Sequence, residues 1–323
     1  MKIGILGAAD IAYNRFLPSL QKTQAFSCAG VAAYRGEDPS RARRFTETYQ
    51  LPVYESYEAL IADPEIDAVY VPVPPAFHAH WGRQVLEAGK HLLLEKPFTA
   101  SLAETKELLA LAEQRQLAVH ENYMFGFHSQ IETVKNWIQS GEHGQVRLLR
   151  AAFGFPLRQT GDFRYKKSMG GGALLDAAGY VLRLASLLLG PVELLSSNVQ
   201  GLEGFEVDMQ GAASLRGLEN GLVYQGAWGM SHFYQCALEL WTSEARLSTN
   251  RIFTAPADYE PVWIKETQGQ REELRLPADD HFRKSIEQFR RLVDAPTLRE
   301  GARAEILRQA ELVEAVRRGA RQA

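Results

Sequence analysis

The chain is 323 residues long, enough for about two domains of roughly 150 residues each. Hydrophobic residues at 46% and charged residues at 23% exclude a chain that is disordered throughout and leave enough apolar side chains for a proper core. With 36 Lys and Arg against 39 Asp and Glu, the net charge of −3 excludes a general basic attraction to nucleic acid or acidic lipid.

Over the first 120 residues, short apolar runs alternate with helix-like segments. Strands are expected at 2–6, 26–33, 68–73, 91–94 and 117–120, and amphipathic helices at about 11–21, 39–49, 78–88 and 102–115. Ser101 followed by Glu104 reads as a capping box that opens the last of these helices. Strands that are apolar throughout and separated by helices predict a doubly wound α/β unit, its parallel sheet covered on both faces. After about residue 121 the pattern changes. A helix carrying Ile131, Val134 and Ile138 on one face ends near Gly141, and Gly170-Gly171-Gly172 opens an apolar helix running to about Leu189. From 192 to 276 strand follows strand. The runs 222–228, 236–241 and 262–267 are rich in β-branched and aromatic residues, and their short connections imply antiparallel pairing. Residues 281–293 and 299–318 return to helical periodicity. The second half, 121–323, is therefore expected to be an α+β domain with a large, mainly antiparallel sheet that has one face to cover. Its C-terminal helices are free to pack back on the first domain, 1–120.

The two cysteines, Cys28 and Cys236, lie outside any CxxC pair, which argues against a zinc ribbon or a disulfide scaffold and for a reducing compartment. The N-terminal apolar run is short and broken by Asp10. The greasy stretch 181–195 is interrupted by Arg183, Gly190, Pro191 and Glu193. A cytoplasmic protein without a membrane partner is expected. HExxH, GxSxG and GxxxxGK[ST] are all absent from the sequence, and no histidine has a partner at metal-ligand spacing, so no metal site is expected.

Four places carry chemistry. At the end of the first strand, Gly7, Ala9 and Ala12 fill the small-residue positions of a dinucleotide fingerprint, with Asp10 and Ile11 opening the following helix. Two glycines of the ideal pattern are alanines, so an ordinary strand–helix turn is the competing reading. The second strand ends at Tyr34-Arg35, where an NAD-preferring site would carry a carboxylate. A guanidinium there favours a 2′-phosphate, hence NADP(H), against the alternative of a solvated surface arginine. The fifth strand runs into Glu95-Lys96-Pro97, and ligands of doubly wound sheets bind beyond the carboxyl ends of the strands. Lys96 is thus placed to polarise a carbonyl or hydroxyl, unless it is a plain surface lysine before a turn. Asp176 and Tyr180, four apart after the glycine loop, fall on one helix face. They make an acid–phenol pair for proton transfer, or a helix-start carboxylate and a core tyrosine.

In this order the features resemble the Gfo/Idh/MocA oxidoreductase family over essentially the whole chain. The resemblance implies a Rossmann domain for NAD(P)(H), an α+β domain for substrate, and a homo-oligomer formed through the open C-terminal sheet. It maps the family's lysine to Lys96 and its aspartate to Asp176. Many members carry histidine four residues after that aspartate. This chain has Tyr180, as dihydrodiol dehydrogenases, glucose–fructose oxidoreductase and nucleotide-sugar ketoreductases do. Residues 71–78, 121–125, 163–165 and 253–258 look most like the sugar-nucleotide 3-ketoreductase branch. On that likeness Pro72, Pro74 and His78 form the wall beside the nicotinamide. Asn122 reaches nicotinamide or sugar, Glu95 belongs with the cofactor set, and His128 and Arg164 contact substrate along with Tyr180.

The expected activity is NADPH-dependent reduction of a sugar-ring ketone, the 3-keto group of a nucleotide-linked deoxysugar. Lys96 would stabilise the oxygen, Tyr180 would donate the proton, and Asp176 would orient Lys96 or substrate hydroxyls. Two other readings use the same residues: an NADP-dependent aldose or dihydrodiol dehydrogenase, and a non-catalytic NADP(H)-binding sensor. The joint presence of Lys96, Asp176 and Tyr180 counts against the sensor.

Overall fold

The computed structural model describes residues 1–34 and 39–322. Strands β1 (Lys2–Leu6), β2 (Ser27–Ala32), β3 (Val53–Tyr54), β4 (Ala68–Val71), β5 (His91–Leu94) and β6 (Val119–Glu121) form one sheet in the order 3-2-1-4-5-6, every pair parallel. Successive side chains of a strand point to opposite faces, and both faces are apolar here. Ile3, Ile5, Tyr70 and Leu93 pack on one side with Phe16, Phe45 and Phe289. Leu6, Val69, Val71, Leu92 and Leu94 pack on the other with Leu60, Val85 and Leu108. Strand order reverses between β1 and β4, so the carboxyl ends of these strands open the crevice where such sheets take ligands.

Several boundaries differ from expectation for identifiable reasons. β4 stops at Val71, two residues early, because Pro72 has no N–H for the ladder. The first helix contains a π-turn, Ala12–Phe16, immediately ahead of Leu17–Leu20. Leu17 N–H reaches back five residues to Ala12, and Pro18 follows with no N–H to donate. β3 and the helix Tyr57–Ala62, opened by the Ser56 side chain, fall between predicted elements. The capping box is present. Ser101 Oγ accepts from Glu104 N–H at 3.3 Å and donates to the Glu104 carboxylate at 3.0 Å.

A second sheet comprises β7 (Val146–Phe155), β8 (Val192–Gly201), β9 (Asp208–Gly217), β10 (Val223–Met230), β11 (Gln235–Thr242), β12 (Arg246–Thr249), β13 (Val262–Thr267) and β14 (Gln270–Arg275). Its order is 14-13-12-11-7-10-9-8. Pairing is antiparallel except between β7 and β10, which run parallel. The helix Gly179–Leu189 covers one face. Tyr224 donates its hydroxyl to the Val181 carbonyl at 2.7 Å, and Gly226 leaves the space that the Val181 side chain occupies. The segment Lys167–Leu189 is long and apolar enough to cross a bilayer, but 78% of its apolar window is buried inside the protein, as in a core helix.

The chain divides into two compact units. One comprises Met1–Asn122 with Phe282–Ala310, the other Tyr123–His281 with Glu311–Ala323. In the first, the helix His281–Asp294 contributes Ile286, Phe289 and Leu292 to the core beneath β1. The Arg299 guanidinium caps that helix through the Leu292 and Val293 carbonyls.

Candidate active site

The turn after β1 forms a backbone cradle. Gly7 has φ +126°, its N–H donates to Ala32 O at 2.9 Å, and a Cβ there would touch the Tyr57 hydroxyl and Val73, each at 3.3 Å. Ala9, Asp10 and Ile11 follow, and Ala9 O accepts from Tyr13 N–H at 3.1 Å as the helix begins. Small residues, a positive-φ glycine and the free N–H groups of a first helical turn fit a dinucleotide pyrophosphate. Asp10 is exposed and pairs with Arg44 at 2.7 Å, and the guanidinium lies over the Tyr13 ring at 4.5 Å. Nothing in the sequence around Tyr57 except the Ser56 helix cap signals that its hydroxyl reaches this cradle.

At the end of β2, Tyr34 is exposed and meets Tyr57 edge-on at 6.0 Å. Tyr57 meets Trp81 in turn at 4.9 Å. Arg35 lies outside the described residues. Pro72 and Pro74 follow β4, and Pro74 opens a 3-10 turn at Pro75–Phe77 that leads into the helix His78–Glu87. His78 is fully buried. Its Nδ1 lies 2.7 Å from Pro97 O and its Nε2 2.8 Å from Val73 O, so it ties the loop after β4 to the loop after β5. A neutral ring donates to only one of these carbonyls, and burial pushes its pKa down.

Lys96 stands half-exposed where β5 ends, and the Lys96–Pro97 peptide is cis. Beside it, Glu95 Oε1 accepts from the Tyr70 hydroxyl at 2.7 Å and from Asn122 Nδ2 at 2.6 Å. Burial raises the Glu95 pKa, while those two bonds and the Lys96 charge work against the rise. Asn122 therefore spends part of its amide on Glu95. Tyr70, an apolar-strand residue by pattern, is buried in the core and also hydrogen-bonds Glu95, a contact that periodicity alone does not reveal.

In the second unit the glycine loop is shaped by Arg164. Gly171 and Gly172 donate their N–H groups to Lys166 O and Arg164 O at 3.0 and 2.9 Å, and a Cβ on Gly171 would collide with the Arg164 carbonyl. Gly172, at φ +117°, has no room beside Asp208, which accepts from Leu174 N–H at 2.6 Å. Arg164 Nε donates to Asp176 at 2.8 Å and its Nη1 to Asp162 at 3.1 Å, over the Phe163 ring. Burial works against the guanidinium charge, but Asp176 and Asp162 outweigh it and hold the Arg164 pKa above its usual value. Asp162, two residues before Arg164, carries no motif that would mark it in the sequence, and it also caps the short turn Phe163–Tyr165 through Arg164 N–H.

Asp176 sits in a π-turn, Leu174–Ala178, rather than in a regular α-helix. Tyr180 lies in the first turn of the α-helix Gly179–Leu189 and is 6% exposed, its ring among Tyr123, Phe125, Phe153 and Phe253. Gly179 leaves the space that the Tyr123 hydroxyl fills. His128 is buried, and its Nδ1 accepts from Gln130 N–H at 3.2 Å, capping the helix Ser129–Ser140. Among the described residues no group of three or more His, Cys, Asp or Glu side chains is arranged to hold a metal ion.

Known proteins share this architecture. The family described as "Oxidoreductase family, NAD-binding Rossmann fold" matches residues 1–123, and the "GFO/IDH/MocA C-terminal domain" matches residues 131–248. The dTDP-3,4-didehydro-2,6-dideoxy-alpha-D-glucose 3-reductase of Saccharopolyspora spinosa is 38% identical over 98% of this chain and 96% of its own length. The enzyme of the same name from Actinomadura kijaniata is 39% identical over 99% and 96%. The solved structure of KijD10, a 3-ketoreductase from Actinomadura kijaniata in complex with NADP and TDP-benzene, superposes with a TM-score of 0.92 at 38% identity. It covers 99% of this chain and 97% of that one. Further KijD10 structures with TDP-benzene and NADP have one lysine replaced by alanine or glutamate, or one tyrosine replaced by phenylalanine. With near full-length relatives on both counts, the chain belongs to the Gfo/Idh/MocA family of oxidoreductases.

Proposed function

We propose that this protein is an NADPH-dependent ketoreductase that reduces the 3-keto group of a dTDP-linked deoxysugar. The observation that carries the reading is the Gly7 cradle and the Glu95-Lys96 pair at the carboxyl ends of two strands of one parallel sheet. The reductases and KijD10 support the substrate class, and the NADP in the KijD10 complexes supports the cofactor.

Gly7, Ala9, Asp10 and Ile11 would receive the pyrophosphate, Tyr34 and Arg35 the adenosine end with its 2′-phosphate, and Pro72 and Pro74 the wall beside the nicotinamide. When bound, NADPH supplies a hydride for the carbonyl carbon. Negative charge then builds on the sugar oxygen. The Lys96 ammonium stabilises that oxygen and Tyr180 delivers the proton, giving the alcohol. Asp176 and Asp162 hold Arg164 in a fixed fork, and this guanidinium is the cation offered to the substrate in the second unit. KijD10 variants at a lysine and at a tyrosine involve the residue types assigned here to Lys96 and Tyr180.

A homo-oligomer through the open face of the second sheet completes the reading. Asn198, Ala212, Ala227, Ala152 and Ala237 stand side by side across five strands, a row of mostly small side chains that lets a second copy approach closely. Two free cysteines agree with a reducing, cytoplasmic location.

The test is Lys96→Ala, assayed with a dTDP-3-keto sugar. Turnover should fall by about a thousandfold or more, with NADPH binding retained. Undiminished turnover would contradict the role, and loss of folding or of NADPH binding would make Lys96 structural.

A further inference from the structure

Beyond Glu95, a chain of buried polar groups continues away from the cradle. Asn122 N–H donates to Leu94 O at 2.9 Å, which sets the Asn122 side chain beside Glu95. An ionised carboxylate can only accept, so the amide must turn Nδ2 toward Glu95. Its Oδ1 then faces the Ser285 hydroxyl, which donates to it at 2.8 Å. With that proton committed, the Ser285 oxygen accepts from His120 Nε2 at 2.9 Å, which fixes the proton on that ring nitrogen. Phe289 stacks on the His120 ring with centroids 6.2 Å apart. Asn122, Ser285 and His120 are all buried. Every donor in the series thus points toward one carboxylate oxygen, where the Tyr70 hydroxyl also arrives.

We propose that Ser285 and His120 are positioning residues that lock the Asn122 amide, so that with Tyr70 it holds the Glu95 carboxyl correctly turned beside Lys96. The proposal rests on the reading of Lys96 as the group that acts on the sugar oxygen. Its physical basis is the cost of an unsatisfied buried group. Without the Ser285 hydroxyl, Asn122 Oδ1 loses its donor, and the amide can rotate to set oxygen against oxygen at Glu95. Burial already presses that carboxyl toward its neutral form, and Tyr70, Asn122 and Lys96 are the groups opposing it. A neutral or rotated Glu95 would change the charge that sits next to Lys96.

Kinetics with NADPH and a dTDP-3-keto sugar test this, together with the Glu95 carboxyl carbon followed by NMR in cofactor-free protein. Ser285→Ala should lower kcat by about tenfold or more while NADPH affinity and KM stay unchanged. His120→Leu should do the same, whereas His120→Gln, which keeps an N–H in a similar place, restores most of the loss. The double variant Ser285→Ala/His120→Leu should lose no more than Ser285→Ala alone, because one relay is broken once. The Glu95 carboxyl should titrate at higher pH in Ser285→Ala than in the unaltered protein. Wild-type kcat in Ser285→Ala, or additive losses with an unmoved Glu95 signal, would overturn the relay. If Lys96→Ala still turns over, the catalytic reading fails, and the carboxyl signal alone decides whether the relay holds Glu95.

Discussion

His91 shows how burial sets the behaviour of single residues in this protein. Its Nδ1 accepts from Ala118 N–H at 3.0 Å, and burial with the nearby Arg299 charge holds its pKa down at about 4, against 6.5 for a free ring. Between those values the unfolded chain binds the extra proton, so stability rises with pH across that window and falls as acid is added from pH 6.5 toward 4. Burial pushes His78 in the same direction. His91→Asn keeps an acceptor for Ala118 and removes the titration. Thermal melts between pH 7 and 4 should show a shallower acid loss in that variant, and an unchanged slope would contradict the assignment. At this scale the sequence exposed what sits at a strand end. Lys96 was legible because an apolar strand runs straight into Glu95-Lys96-Pro97. Partnerships across the fold were not. The Arg164–Asp176 pair joins positions 12 apart through a loop, and the Ser285–Asn122 bond joins positions 163 apart.

Local chemistry decides an element's limits, while its neighbours decide its internal geometry. β1 and β5 matched their predicted limits, and the Ser101–Glu104 box opens its helix as its spacing implied. β7 was not predicted. Its arginines at 147 and 150 mask an alternation in which Leu149, Ala151, Phe153 and Phe155 are buried. The π-turns at Ala12–Phe16 and Leu174–Ala178 were also out of reach, since an i→i+5 turn leaves no periodicity in so short a stretch. Gly179 gives a test at this scale. Alanine is the better helix former by about 1 kcal/mol, yet its Cβ would run into the Tyr123 hydroxyl. Gly179→Ala should therefore destabilise the protein by about 1–3 kcal/mol in urea unfolding, and adding Tyr123→Phe should recover part of it. A stabilised Gly179→Ala would show that the Tyr123 ring yields freely.

At the level of the whole chain, composition and periodicity were enough for a parallel sheet followed by a larger, mainly antiparallel one. The strand count and the parallel pairing of β7 with β10 needed the structure, because β8 and β9 intervene in sequence before β10 takes its place. The alanine row belongs to this scale as well, since no single strand reveals it. Ala227→Arg places a charge in the middle of that row. If the proposed homo-oligomer forms through this face, the variant should be monomeric in light scattering with unchanged far-ultraviolet dichroism, and an unaltered oligomer, or an unaltered protein that is itself a monomer, would contradict that interface. NADPH consumption by the purified protein tests the proposed reaction. dTDP-3,4-didehydro-2,6-dideoxy-alpha-D-glucose, the substrate in the relatives' name, is compared with free aldoses and diols, and NADPH with NADH. Turnover with the nucleotide-linked ketosugar and a preference for NADPH is the predicted result. Turnover confined to free sugars or diols, or none with any carbonyl despite tight NADPH binding, would contradict it.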